Sequence, residues 1–155
     1  MNKEQLQTLI AEPVMRKIPH GYSEEAVTAF MMCIAHESKR CTYIKQINGP
    51  ALGFIQMEPA THNDTWKYGD SIWDNALTLG IINEVEHMQK IHPKPERLVY
   101  DIAYNVFMFR QRMFMKKGAI PKDLHGISAY LKTHWNSAEG KAHFGSYYDD
   151  YINWK

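Results

Sequence analysis

The segment from Ala29 to Thr61, AFMMCIAHESKRCTYIKQINGPALGFIQMEPAT, constrains this chain more than any other. Upstream and within it, Ala26, Ala29, Phe30, Cys33, Ile34 and Glu37 fall at three- and four-residue steps, which predicts a helix over about 24–38. Ser23 supplies an N-cap, and Glu24 and Glu25 set acids against the free N–H groups of the first turn. Glu37 thus continues an apolar stripe. A carboxyl in that place loses hydration, which favours its neutral form. That is the state a general acid needs near neutral pH. The alternative for Glu37 is a helix-end acid open to solvent. Asn48-Gly49-Pro50 then signals a turn, and Gly53 leaves room for a close approach of backbone or ligand. Leu52 to Met57 is too short for periodicity to separate strand from helix.

The rest of the chain reads as mainly α, in one domain over residues 1–155. Residues 3–11 carry Leu6, Leu9 and Ile10 on one helical side, with Pro13 near the end, and Pro19-His20-Gly21 marks a loop. Pro59 starts another turn or short helix, and Thr61 to Asp70 is polar with Trp66 and Tyr68 interspersed, which suggests a surface loop or lobe. Ser71-Ile72-Trp73-Asp74 has the form of a capping box, opening a helix towards Lys90 with an interruption at Gly80. His92 to Glu96 is a break. A helix over 97–117 follows, lined by Leu98, Ile102, Val106, Phe109 and Met113, with Tyr104, Arg112 and Lys116 outward or facing a cleft. Gly118 to Pro121 stops it. Asp123 to Thr133 is helical, and the aromatic tail predicts a loop and a final short helix packed back on the body.

Composition limits the chemistry. Eighteen basic and seventeen acidic residues give a net charge of +1, and Lys39-Arg40 and Lys116-Lys117 are short clusters, so a nucleic-acid module is disfavoured. No stretch approaches the apolar length of a membrane span, and the first residues lack a signal-peptide core. Cys33 and Cys41 read as a reduced pair. His36-Glu37 opens like a zinc-protease helix, but Arg40 stands where the second histidine of H-E-x-x-H belongs, so no metal is expected. No serine has the context of an activated nucleophile, which leaves Ser38 as a turn group.

Glu37-Ser38, the turn Gly49-Pro50-Ala51-Leu52-Gly53 and the run Phe54-Ile55-Gln56-Met57-Glu58-Pro59-Ala60-Thr61 together resemble the motif of lytic transglycosylases and goose-type lysozymes, in the form found in phage proteins of that superfamily. Phe54 replaces the usual Leu, and Glu58 stands where many members carry an apolar residue. Ala103-Tyr104-Asn105 resembles the segment lining the far side of the cleft. Ala129-Tyr130 and Trp135-Asn136 with Gly140 resemble a degraded form of another family segment. The resemblance covers about residues 24–150.

It implies a lysozyme-like fold with at most a small β element in 42–58 and a substrate cleft between lobes. It also implies cleavage of the β-1,4 bond between N-acetylmuramic acid and N-acetylglucosamine in bacterial peptidoglycan, without a cofactor. Glu37 would be the general acid. Glu58, with Asp64 and Asp70 behind it, is the candidate second carboxylate that would activate water for inverting hydrolysis, at a separation of roughly 6.5–9.5 Å. The competing role for Glu58 is a structural acid satisfying backbone N–H groups near Pro59 or pairing with a base. Without a second acid, the muramoyl 6-hydroxyl would close on C1 to a 1,6-anhydro product. Gln56, Ser38, Gly53, Tyr104, Tyr130 and Asn105 are the candidate substrate-binding residues, the two tyrosines by stacking on sugars or by orienting Glu37. The expected setting is a monomer, made in the cytoplasm of an infected bacterium and acting at the wall. It would be released through a pore-forming lysis partner or carried in a phage particle, with no stable membrane insertion.

Overall fold

A computed structural model describes residues 1–136 and 140–155 and is mainly α-helical. Lys3–Leu6 (α1) widens into a π-helical turn at Gln7–Ala11 and continues as Glu12–Lys17 (α2). The helix therefore runs past the expected end near residue 11. Pro13 lies at the start of α2, and the wide turn precedes it because proline has no N–H to give the preceding turn.

Glu24–Glu37 (α3) is the central helix. Ser23 caps it as expected, accepting the Ala26 N–H at 3.0 Å. Ala26, Val27 and every residue from Ala29 to Ala35 are buried, so the helix is enclosed on all sides rather than along one stripe. The sequence permits this because Met31 and Met32, which a stripe would leave outside, are as apolar as the residues within it. Around α3 pack the π-helical turn, Ile102–Phe114 (α8), Leu124–His134 (α9) and Ser146–Ile152 (α10).

Several elements depart from expectation. Pro59, expected to start a turn or short helix, starts the helix Pro59–Tyr68 (α4), which runs on through the segment expected as a surface loop or lobe. Pro59 fits its first turn, and the buried side chains His62, Thr65 and Trp66 recur at helical steps hidden within a polar composition. The segment expected to run from 72 to 90 is two helices, Ile72–Thr78 (α5) and Glu84–Gln89 (α6), parted at Gly80 in a left-handed conformation (φ 73°). Ser71 makes no side-chain cap; the capping box belongs to Asn83 and Glu86. The expected helix over 97–117 breaks into Arg97–Tyr100 (α7) and α8, because the Asp101 carboxylate accepts the Tyr104 N–H at 3.0 Å and starts the second helix afresh. Tyr104 is not outward: it is buried, 1% exposed. The loop expected after Thr133 takes in residues 137–139, which lie outside the described residues.

The β content is small. Isolated antiparallel bridges pair Lys45 with Leu52 and Leu52 with Met57. Cys33 and Cys41 are free thiols, and among the described residues no helix is long and apolar enough to cross a membrane.

A buried polar chain ties α4 to α8. The Trp66 indole N–H donates to the Tyr104 hydroxyl at 2.9 Å. That hydroxyl donates in turn to His62 Nε2 at 2.7 Å, which leaves Nδ1 protonated towards the Asn63 side-chain oxygen at 2.9 Å. Burial first, then the neighbouring His92, push the His62 imidazole down to about 4, against smaller opposing effects of Asn63 and Glu96. In the unfolded chain the ring takes its proton near pH 6.5. The stabilisation from the neutral ring is therefore complete above about pH 6.5 and is lost as pH falls towards 4. Urea titrations should show that His62→Gln, which cannot take a proton, lessens the fall in stability across this window by about 3 kcal/mol.

Candidate functional site

Glu37 is the last residue of α3, and the turn that follows fixes its direction. The Ser38 hydroxyl donates to the Ile34 carbonyl at 2.7 Å and accepts the Cys41 N–H at 3.1 Å, while the Ser38 carbonyl accepts N–H groups from Thr42 and Tyr43. Lys39, Arg40 and Cys41 are all left-handed, with φ of 47°, 60° and 65°. Each such non-glycine residue costs about 1 kcal/mol or more, and the buried Ser38 hydrogen bonds hold the run in place.

From the opposite side comes α10. The Tyr147 hydroxyl donates to Glu37 Oε1 at 2.5 Å. Asn136, beside the same site, accepts the Lys132 ammonium on its side-chain oxygen at 2.9 Å. His36 Nδ1 donates to Asp150 Oδ2 at 2.7 Å, and the Arg40 Nε–H reaches the Asp150 carbonyl at 3.3 Å. Further off, Ser128 bonds the Phe144 carbonyl and the Tyr148 N–H, and Lys3 bonds the carbonyls of Tyr151 and Trp154. Together these fasten α10 against the end of α3.

The Glu37 carboxyl is pushed above its ordinary value. Burial raises it, outweighing the Tyr147 hydrogen bond and the nearby His36, which both favour the charged form. Tyr147 is itself raised, by burial and then by the charge of Glu37, so its hydroxyl stays a donor.

The third part is a tight hairpin. Leu52 and Met57 exchange two backbone hydrogen bonds at 2.9 and 3.0 Å, and Gly53 to Gln56 make the turn between them. Gly53 is left-handed (φ 75°); a Cβ there would lie 2.3 Å from Asn105 Oδ1 and 2.8 Å from the Leu98 carbonyl oxygen. The loop is seated on Asn105, whose amide donates to the carbonyls of Leu98 and Asp101 and whose oxygen receives the Ile55 N–H at 3.4 Å. Trp135 ties the other side, its indole N–H donating to the Ile55 carbonyl at 3.2 Å. Gln56 is also left-handed (φ 49°), and its amide N–H braces the Gly53 carbonyl at 2.9 Å.

Glu37, Gln56 and Glu58 line one surface pocket of about 930 Å³, whose wall also includes His36, Tyr43, Trp135 and Asn136. Glu58 is exposed and precedes α4, but its carboxylate makes no cap to that helix and no ion pair among the described residues. The pocket carries Lys39, Lys45, Arg112 and Lys141 against Glu37 and Glu58, a concentration of positive charge on a chain whose net charge is +1.

No known protein family, curated protein or solved structure matches the chain significantly. The site is therefore read from its own geometry. Of the residues singled out from sequence, Glu37, Gln56 and Glu58 come together, while Asp64 and Asp70 do not line the pocket. Ser38, Gly53, Tyr104 and Asn105 are buried and absent from its wall. Each supports the site from behind: Ser38 sets the turn after Glu37, Gly53 and Asn105 form the two sides of one close contact, and Tyr104 belongs to the His62 chain. Tyr130 lines a different pocket, beside Arg110. The tyrosine that holds Glu37 is Tyr147, recognisable from sequence only as one of several tail aromatics expected to pack on the body. Its neighbour Asp150, one helical turn on, pairs with His36, so an aromatic and an acid at that step were the available signal. Among the described residues no group of three or more His, Cys, Asp or Glu side chains is placed to hold a metal.

Proposed function

We propose that this protein cleaves the glycan strand of bacterial peptidoglycan, with a lysozyme-like arrangement in which the pocket is the substrate cleft. The observation that carries the reading is the half-buried Glu37 carboxyl, raised by burial and aimed by Tyr147 at the wall of a pocket large enough for sugars. Glu37 protonates the bridging oxygen between N-acetylmuramic acid and N-acetylglucosamine, the glucosamine leaves with that oxygen, and positive charge develops on the muramic acid ring whose C1–O bond breaks. Glu58, in the same pocket and without a partner among the described residues, favours hydrolysis by a water that it activates; closure to a 1,6-anhydro product is the second reading. Gln56 keeps its amide oxygen for a sugar hydroxyl or N-acetyl N–H, since only its nitrogen is used in the loop. The cationic wall suits a strand whose stem peptides carry carboxylates. Such an enzyme fits a phage lysis or virion-associated role, reaching the wall through a pore-forming partner or with the particle.

Mass spectrometry of digested peptidoglycan tests the proposal. Reducing-end muropeptides are expected; anhydro products lighter by one water would assign the lyase route, and intact strands would refute both. Tyr147→Phe gives a second test. Removing the donor leaves burial with less opposition, so Glu37 holds its proton to higher pH and the alkaline limb of the activity profile moves up. Cleavage at the optimum should fall by about 10- to 150-fold, since a hydrogen bond to a charged group contributes about 1.5–3 kcal/mol.

A further inference from the structure

A second pocket, of about 390 Å³, is lined by residues around the α3 N-terminus, the end of α8, the loop after it and Tyr130 of α9. Arg110, Lys116 and Lys122 face it, with Glu25 as its one acid. The Arg110 guanidinium is half-buried. Its Nε–H donates to the Gly21 carbonyl at 2.7 Å, and the group lies 4.3 Å from the centre of the Phe114 ring. These contacts fix the plane of the fork while its terminal nitrogens have no acceptor among the described residues. Nor do Lys116 and Lys122 have an ion-pair partner there; the ion pairs of the described residues involve His36, Arg40, His87 and Arg97.

Three cations thus line one concavity with Glu25 as its one acid and, among the described residues, with no carboxylate within salt-bridge distance. Burial and the neighbouring Arg112 already push Lys116 below its ordinary value, and burial does the same to Arg110. Nothing in the bond-cleaving pocket uses these side chains. We propose that this pocket binds a phosphate monoester group. Three positive charges less Glu25 leave two, which a monoester at neutral pH, carrying about −1.5 to −2, neutralises where a lone carboxylate would not. The fixed guanidinium matches two phosphate oxygens at once, and the lysines supply mobile point charges at the rim. Such a group can end a soluble sugar phosphate or cap a lipid. The volume beyond a phosphate leaves space for the first atoms of either.

Amide chemical shifts of the whole protein, titrated with inorganic phosphate at constant ionic strength, test this. Saturating shifts are expected at residues 23–25 and 110–122, with acetate at equal ionic strength producing none that saturate. Lys116→Gln combined with Lys122→Gln, both at the rim, should weaken phosphate at least tenfold without changing the fold. Arg110→Lys keeps the charge but loses the fork, and should weaken it too. Displacement of phosphate by glucose 1-phosphate assigns a soluble source. Binding to phosphatidic acid vesicles but not phosphatidylcholine vesicles, without such displacement, assigns a lipid headgroup. Linear shifts, equal response to acetate, shifts confined to residues 36–61, or an unchanged affinity in the double variant would each overturn the proposal.

Discussion

Glu37→Gln is expected to abolish strand cleavage and to raise the melting temperature of the same protein. The amide has no proton to give the leaving oxygen, and general acids contribute about 10²–10⁴-fold to such reactions. Stability moves the other way because the carboxyl is held above its unfolded value by burial. Its favourable contribution is complete below that unfolded value and is lost as pH rises through the folded one. Above the unfolded value the partly desolvated carboxyl costs the fold stability that the unfolded chain does not lose, and the amide removes that cost. The Tyr147 hydroxyl still donates to the Gln oxygen, so the pocket keeps its shape. Thermal unfolding of the two proteins at pH 4 and pH 8 should show a stabilisation present at pH 8 and absent at pH 4. Sugar binding should persist. A variant that still clears walls would mean that this carboxyl is not the acid, and that the fold serves binding alone.

Gly53→Ala is expected to be the most damaging single methyl addition near the site. Two costs combine. A left-handed Ala is disfavoured by about 1 kcal/mol, and the new Cβ meets the Asn105 oxygen at 2.3 Å and the backbone oxygen of Leu98 at 2.8 Å. Overpacking of this kind adds about 1–3 kcal/mol, for a total near 3 kcal/mol and a melting temperature lower by roughly 10 °C. Activity should fall further than stability, because the turn that moves carries Gln56 and leads directly into Glu58. Asn105→Ala in the same chain relieves one clash but not the other. The double variant should therefore lose less than the sum of the two single changes.

Much of this was legible before any coordinates. The helix over Glu24–Glu37, its Ser23 cap, the close approach at Gly53 and the nearness of Glu37, Gln56 and Glu58 follow from local spacing and from a motif compact in sequence, whereas the turn from Gly53 to Gln56 does not. Failures cluster where tertiary contacts overrule local pattern. Pro59–Tyr68 hides a buried His62, Thr65 and Trp66 in a polar string, and the Asp101 cap divides what periodicity joins. Asn105 and Tyr104, expected to bind substrate, lie buried behind the wall: their polar groups are spent on backbone and on His62. Tyr147 was beyond reach for a simpler reason. No local rule connects a helix end with a residue 110 positions away.

That distance along the chain has a kinetic meaning. A seven-residue helix such as Ser146–Ile152 does not persist unaided in water, so it holds its shape only while clipped to the body by Lys3, Ser128, His36 and Arg40. Sub-global opening of this one foldon would strip the carboxyl of its aiming hydroxyl while the rest of the protein remained intact. Inactivation by mild heat would then be reversible and would precede melting. The proposed site, in that sense, would have a shorter lifetime than the fold that carries it.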